Sequence, residues 1–158
     1  DKATAALLSS AVAERKMTKE YYAIVPGQPS GGVMEDYLYK DATLGKAFVT
    51  DRKRAGVKEA RLEYKCCRTV STDKGEISLV RVKLGTGRFH QIRVQLSSRN
   101  CPIVGDKKYG GNDGKSRFPA LFCKRMKFSA FGKEYDLNAT PPYGEYPWNL
   151  FCEAIGRD

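Results

Sequence analysis
The chain has 158 residues, 28 basic and 18 acidic, for a net charge of +10, and 41% of it is hydrophobic. That length suits one domain with a sizeable core. The five cysteines (Cys66, Cys67, Cys101, Cys123 and Cys152) are odd in number and contain no C-x-x-C pair, and His90 is the one histidine, which argues against a disulfide framework, a zinc site or multi-histidine chemistry and for a reducing, cytoplasmic setting.

Residues 2–14 read as a helix, with Ala5, Leu8 and Val12 forming a narrow apolar stripe. Lys19 to Val25 alternates as a strand and stops at Pro26-Gly27, and Gly31-Gly32-Val33 reads as a turn. Residues 47–50 and 58–68 read as further strands joined by the basic loop Asp51 to Gly56. Adjacent Cys66 and Cys67 then point to opposite faces. A polar turn over Val70 to Gly75 makes 58–68 and 77–84 antiparallel partners.

The strand from Ile77 to Leu84 feeds Gly85-Thr86-Gly87-Arg88-Phe89-His90-Gln91-Ile92-Arg93-Val94. The glycines let the backbone turn tightly, and the period then changes. Phe89, Ile92 and Leu96 fall at i, i+3 and i+7, which predicts a short helix whose first turn carries Arg88, His90, Gln91 and Arg93. Free N–H groups at a helix start favour anions, and two arginines add to that preference.

Cys101 to Gly111 is a Pro/Gly loop, and polar residues continue it to 119. Strands follow from Leu121 to Phe128 and from Glu134 to Ala139, and Pro141-Pro142 ends the sheet. Tyr143, Tyr146, Trp148 and Phe151 form an aromatic tail that is expected to pack back on the domain. No apolar run is long enough to cross a membrane as a helix. Charge is unevenly placed: residues 81–133 hold thirteen basic and two acidic residues, net +11, whereas 134–158 are net −4. Such clustering is the footprint of a nucleic-acid partner.

Thr86-Gly87-Arg88-x-His90-Gln91-Ile92-Arg93 resembles the signature of the RluA-type pseudouridine synthases, enzymes that isomerise uridine in ribosomal and transfer RNA. Lys19-x-Tyr21-x-Ala23-x-Val25 is similar to an earlier motif of that family. Pro102-Ile103-Val104-Gly105-Asp106-x-x-Tyr109-Gly110 is similar to the loop that follows the signature. The similarity runs from about Ala5 to Pro142. Two departures are Gln95, where relatives usually carry histidine, and Leu121-Phe122-Cys123, where many read Leu-His-Ala.

The resemblance implies an α+β pseudouridine synthase fold: a long, mostly antiparallel sheet with flanking helices and a central RNA cleft. It implies no metal, no cofactor, no membrane and a monomeric protein acting on structured RNA. Its chemistry cleaves the uridine N-glycosidic bond, turns the base and rejoins it through carbon 5. Carried onto this chain, Tyr21 stacks on the uracil, Arg93 pairs with the catalytic aspartate, and Ile92 packs beneath the site. Arg88, His90, Gln91 and Lys19 are the candidates for RNA contact.

The family's aspartate lies in a His-Arg-Leu-Asp-x-x-Thr-Ser-Gly stretch that is not found here. Asp1-Lys2-Ala3-Thr4 imitates its core, but Asp1 stands too close to Tyr21 for the intervening strand and helix. The expectation is therefore a single, N-terminally incomplete catalytic domain over 1–158, inactive alone, with Arg93 left without its carboxylate. Asp106 is read as a turn residue. The alternative is a non-catalytic RNA-binding protein on the same fold.

Overall fold
The alternating runs become strands. The computed structural model describes Lys2 and residues 17–156; the helix expected over 2–14 and the decoy Asp1 lie outside the described residues. Among the described residues there are seven strands: β1 (Thr18–Pro26), β2 (Gly32–Asp41), β3 (Lys46–Thr50), β4 (Val57–Thr72), β5 (Gly75–Leu84), β6 (Leu121–Ala130) and β7 (Lys133–Asn138). They make one sheet in the order β3-β2-β4-β5-β1-β6-β7, and every neighbouring pair is antiparallel. A short helix α1 (Gln91–Ser97) follows β5, and a 3₁₀ turn (Trp148–Phe151) leads into α2 (Cys152–Gly156). This is the α+β architecture that the resemblance implies.

Two strands differ from the sequence reading. The sequence showed only a turn near Gly31, yet β2 runs ten residues from Gly32. Only Met34 and Leu38 are buried on it, four positions apart, so its period-2 signal is faint. β4 also runs on to Thr72, through a register shift between Cys66 and Arg68 that skips Cys67. An extra residue of this kind bends a strand and sharpens its twist.

Cross-strand partners point to one side of a sheet. The register therefore places Met34, Asp36 and Leu38 of β2, Ala60, Leu62 and Tyr64 of β4, Val82 of β5 and Tyr21 of β1 on one face. Helix α1 covers part of that face: Val94 packs with Leu38, Ala47 and Ala60, and Ile92 and Leu96 join the cluster holding Leu62 and Val82. Each such fully buried aliphatic side chain contributes about 1.5–3 kcal/mol. At the chain's end, Trp148 meets Phe122 edge-on at 6.2 Å, and Phe151 and Ile155 are buried in the main cluster. The aromatic tail thus packs back only in part, since Tyr143 stays exposed.

The loop from Cys101 to Ala120 is tied down along its course, and Ile24 N–H donates to Ala120 O at 3.0 Å at its end. Val104 N–H donates to Ile24 O at 2.9 Å, and Lys108 Nζ donates to Gly45 O at 3.0 Å. A Cβ at Gly111 would run into the carbonyl oxygen of Ile103, and Gly105 combines φ +82 with a similar approach to Phe118 O. Only glycine permits this compact course.

Candidate functional site
The turn after β5 is built on backbone pairing. Gly85 and Thr86 N–H groups both donate to Arg61 O, at 2.9 and 3.1 Å. Gln91 locks the turn: its Oε1 accepts from Arg88 N–H at 2.9 Å and from Thr86 Oγ1 at 2.8 Å, and its Nε2 donates to Arg61 O at 3.1 Å. Gln91 is 3% exposed, so it presents nothing outward; its amide holds the turn. The helix begins at Gln91, later than its apolar spacing predicted. Arg88 and His90 precede it; Arg88 N–H is engaged by Gln91 Oε1, and the first helical amide, Gln91 N–H, donates to Arg88 O.

The phase break lies at His90, which takes a left-handed backbone with φ 52. Non-glycine residues in that region are uncommon, and histidine is among the types that tolerate it. It throws Phe89 off the apolar face. Phe89 is exposed, with its ring stacked on His90 at 3.9 Å and the Lys40 ammonium 4.6 Å above it.

His90 is one member of a four-residue network. Arg93 Nε and Nη2 donate to Asp106 Oδ2 and Oδ1, each at 2.7 Å, and Arg93 Nη1 lies 3.1 Å from His90 Nε2. His90 Nδ1 lies 3.0 Å from Tyr109 Oη, which also accepts from Ala47 N–H at 2.7 Å. Arginine only donates, so Nε2 must accept and the proton of the neutral ring sits on Nδ1, directed at Tyr109. The Tyr109 ring also lies 4.9 Å from the Arg93 guanidinium.

This corrects the expectation that Arg93 lacks a carboxylate. Asp106, fully buried, supplies a two-pronged partner, and Oδ1 also accepts from Tyr109 N–H at 3.2 Å. Asp106 is thus a turn residue and the arginine's anchor. The hydrogen bond to Asp106 raises the Arg93 pKa. Burial, then the Arg93 and Lys108 charges, lower the His90 pKa, and burial raises that of Tyr109.

Since the folded value for His90 lies below its ordinary 6.5, the unfolded chain binds the proton more readily. The network's contribution to stability is therefore complete above about pH 6.5 and is lost as pH falls through the folded value. Thermal melts between about pH 7.5 and pH 5 should show the wild-type Tm falling faster than that of His90→Gln; parallel declines would refute the neutral assignment.

Tyr21 sits half-buried on β1 between Val82 and Cys123 and packs against the cluster that contains Ile92. Burial first, and Cys123 second, push its pKa up to about 12, so it remains a neutral phenol with an aromatic face. Lys19 lies two positions earlier on the same strand, half-buried and paired in register with Met126. Arg88 is held by its Nε, which donates to Glu59 O at 2.9 Å. The structure thus gathers Tyr21 with Ile92, and Arg93 with His90; Arg88 stands at the edge and Lys19 apart. The residues that sequence reasoning missed as partners are Asp106 and Tyr109. Their signal was the Gly-Asp-x-x-Tyr-Gly spacing between two constrained turns.

Gln95, at the helix's far side, is fully buried. Its Nε2 donates to Asp36 Oδ2 at 2.6 Å, and Arg99 grips the same carboxylate from the next turn. The residue that departs from the family pattern therefore clamps α1 to β2.

A family profile described as RNA pseudouridylate synthase matches residues 1–98. Ribosomal large subunit pseudouridine synthase D of Borreliella burgdorferi is 34% identical over 126 residues, 78% of this chain and 37% of that protein. Ribosomal large subunit pseudouridine synthase C of Rickettsia felis is 30% identical over 141 residues, 86% of this chain and 45% of that one. The chain thus spans less than half the length of these relatives. Among solved structures, Human RNA Pseudouridylate Synthase Domain Containing 1 superposes with a TM-score of 0.79 at 23% identity, covering 90% of this chain and 62% of its own. That likeness is one of fold. The profile match takes in Tyr21 and the whole of the turn and helix that carry Arg93, and on it the chain belongs to the RNA pseudouridylate synthase family.

Proposed function
We propose that this chain supplies the arginine side of a uridine-isomerising site that acts on ribosomal RNA, the substrate named for its relatives. The observation that carries this reading is the anchored guanidinium. Three of the five N–H groups of Arg93 are engaged by Asp106 and His90. Two have no partner among the described residues, on a side chain that keeps 19% of its surface open. A cation fixed in this way can hold a second carboxylate ionised and in one orientation.

That second carboxylate is the aspartate of the reaction. Asp106 does not serve, because it is buried and both its oxygens are occupied. In the proposed reaction the N1–C1′ bond of uridine breaks, the base turns, and a C5–C1′ bond forms. The proton leaves C5 and one is gained at N1, so no oxidant or co-reactant is required. Tyr21 offers a neutral ring for the uracil, and Ile92 supports it from below. The net +11 segment draws in the RNA, and five free cysteines suit a reducing cytoplasm.

The test joins this chain to an upstream segment carrying His-Arg-Leu-Asp and supplies unmodified ribosomal RNA. Pseudouridine is then sought by chemical derivatisation and primer extension. Conversion by the joined protein and none by the chain alone is the expected result, because neither Tyr21, Ile92 nor Arg93 can attack a ribose. Absence of conversion by the joined protein overturns the reading.

A further inference from the structure
We propose that a cavity beside Phe89 is a phosphate subsite for the RNA strand flanking the target uridine; this rests on the RNA-modifying reading above. The cavity holds about 300 Å³ and is lined by Lys40, Lys58, Arg88 and Phe89, among others. Its cations converge for a reason in the sheet. Lys58 of β4 lies opposite Leu38 of β2, and Lys40 stands two positions further along β2, so both lysines rise from the face that carries α1. Arg88 comes in from the turn, fixed by its bond to Glu59 O.

Among the described residues no carboxylate lines this cavity. The Glu59 side chain is turned to Lys53, 3.0 Å away. On the other side of Arg88 a neighbouring cavity is lined by Glu35, Asp36 and Glu59 beside Arg61, so carboxylates outnumber the arginines there. Three cations around an open cavity with no anion among its walls call for an anionic ligand, and a phosphodiester with its ribose matches both the charge and the size. The cavity is also joined to the Arg93 network, because Phe89 in its wall stacks on His90. A strand phosphate held here would sit next to the arginine's support and would set how the RNA enters the site.

The test measures binding of a fluorescent hairpin RNA with unmodified loop uridines to the full chain across a salt series. The variants are Lys40→Ala/Lys58→Ala and, as control, Lys133→Ala, an exposed lysine at the β6–β7 turn. Both site lysines are exposed, so the double variant keeps its fold. Each lost phosphate contact on a single strand should flatten the slope of log K against log salt by ~0.7. The double variant, which loses this one phosphate contact, is therefore expected to lose about 0.7 of slope and about fivefold in affinity at ~0.1 M salt, with the control shifting by less than about twofold. An unchanged slope, or a loss no greater than the control's, overturns the subsite while leaving the functional reading intact. Failure of the wild-type chain to bind RNA at any salt overturns both.

Discussion

Asp106→Ala should lower the stability of the folded chain by about 3–5 kcal/mol, the range for breaking a buried ion pair from one side. The carboxylate is wholly buried and takes two 2.7 Å hydrogen bonds from Arg93 and a third from Tyr109 N–H. Removing it leaves the guanidinium beside the Tyr109 ring with no carboxylate, while Tyr109 N–H keeps its bond to the Asp106 backbone carbonyl. The arginine's outer atoms can turn toward water, which places the expected loss at the low end of that range. Asp106→Asn keeps the shape and one acceptor and should cost less. Urea unfolding monitored by the single Trp148 would show the midpoint fall with its slope unchanged. A loss below about 1 kcal/mol would mean that the pair is no firmer than an ordinary surface ion pair.

The second large effect is on turnover. In the protein joined to its aspartate-bearing segment, Arg93→Lys should lower kcat by about ten- to a hundredfold. The charge survives, but an ammonium cannot hold Asp106 with two parallel bonds while also meeting His90 and a second carboxylate. One charge-assisted hydrogen bond is worth about 1.5–3 kcal/mol, and each 1.36 kcal/mol in the barrier is tenfold in rate. Single-turnover conversion of uridine separates this from RNA affinity, which should change little. A kcat within about twofold of wild type would place Arg93 outside the reaction.

What could be read from the sequence followed the strength of its periodic signals. β1, β4, β5 and β6 were legible because their alternation is strong and Pro, Gly or polar turns bound them. Ile92 and Leu96 were legible as core because three- and four-residue spacing leaves little choice of face. β2 was not, because most of its side chains are aromatics and charges, exposed or half-buried, that look the same on either face. Phe89 was misplaced because one left-handed residue resets a helix's phase, and no composition rule announces that His90 will adopt it. The pairing of Arg93 with Asp106 was hidden for a different reason. Thirteen positions of chain separate them, and only the path of the intervening loop turns the carboxylate back onto the helix.

That loop has a consequence for how the site comes together in time. Its bond from Ala47 N–H to Tyr109 Oη joins residues 62 positions apart. Closing a span of that size is entropically unfavourable and is compensated only when the partners are already in place. The strands hold one another through their own ladders, so they can assemble before the loop docks. Asp106 and Tyr109 both ride on it, and the arginine's support is therefore a latch fitted to a finished sheet. Ile103, Asp106 and Tyr109 are buried where it seats, so the readiness of Arg93 waits on the last contacts of the fold to close.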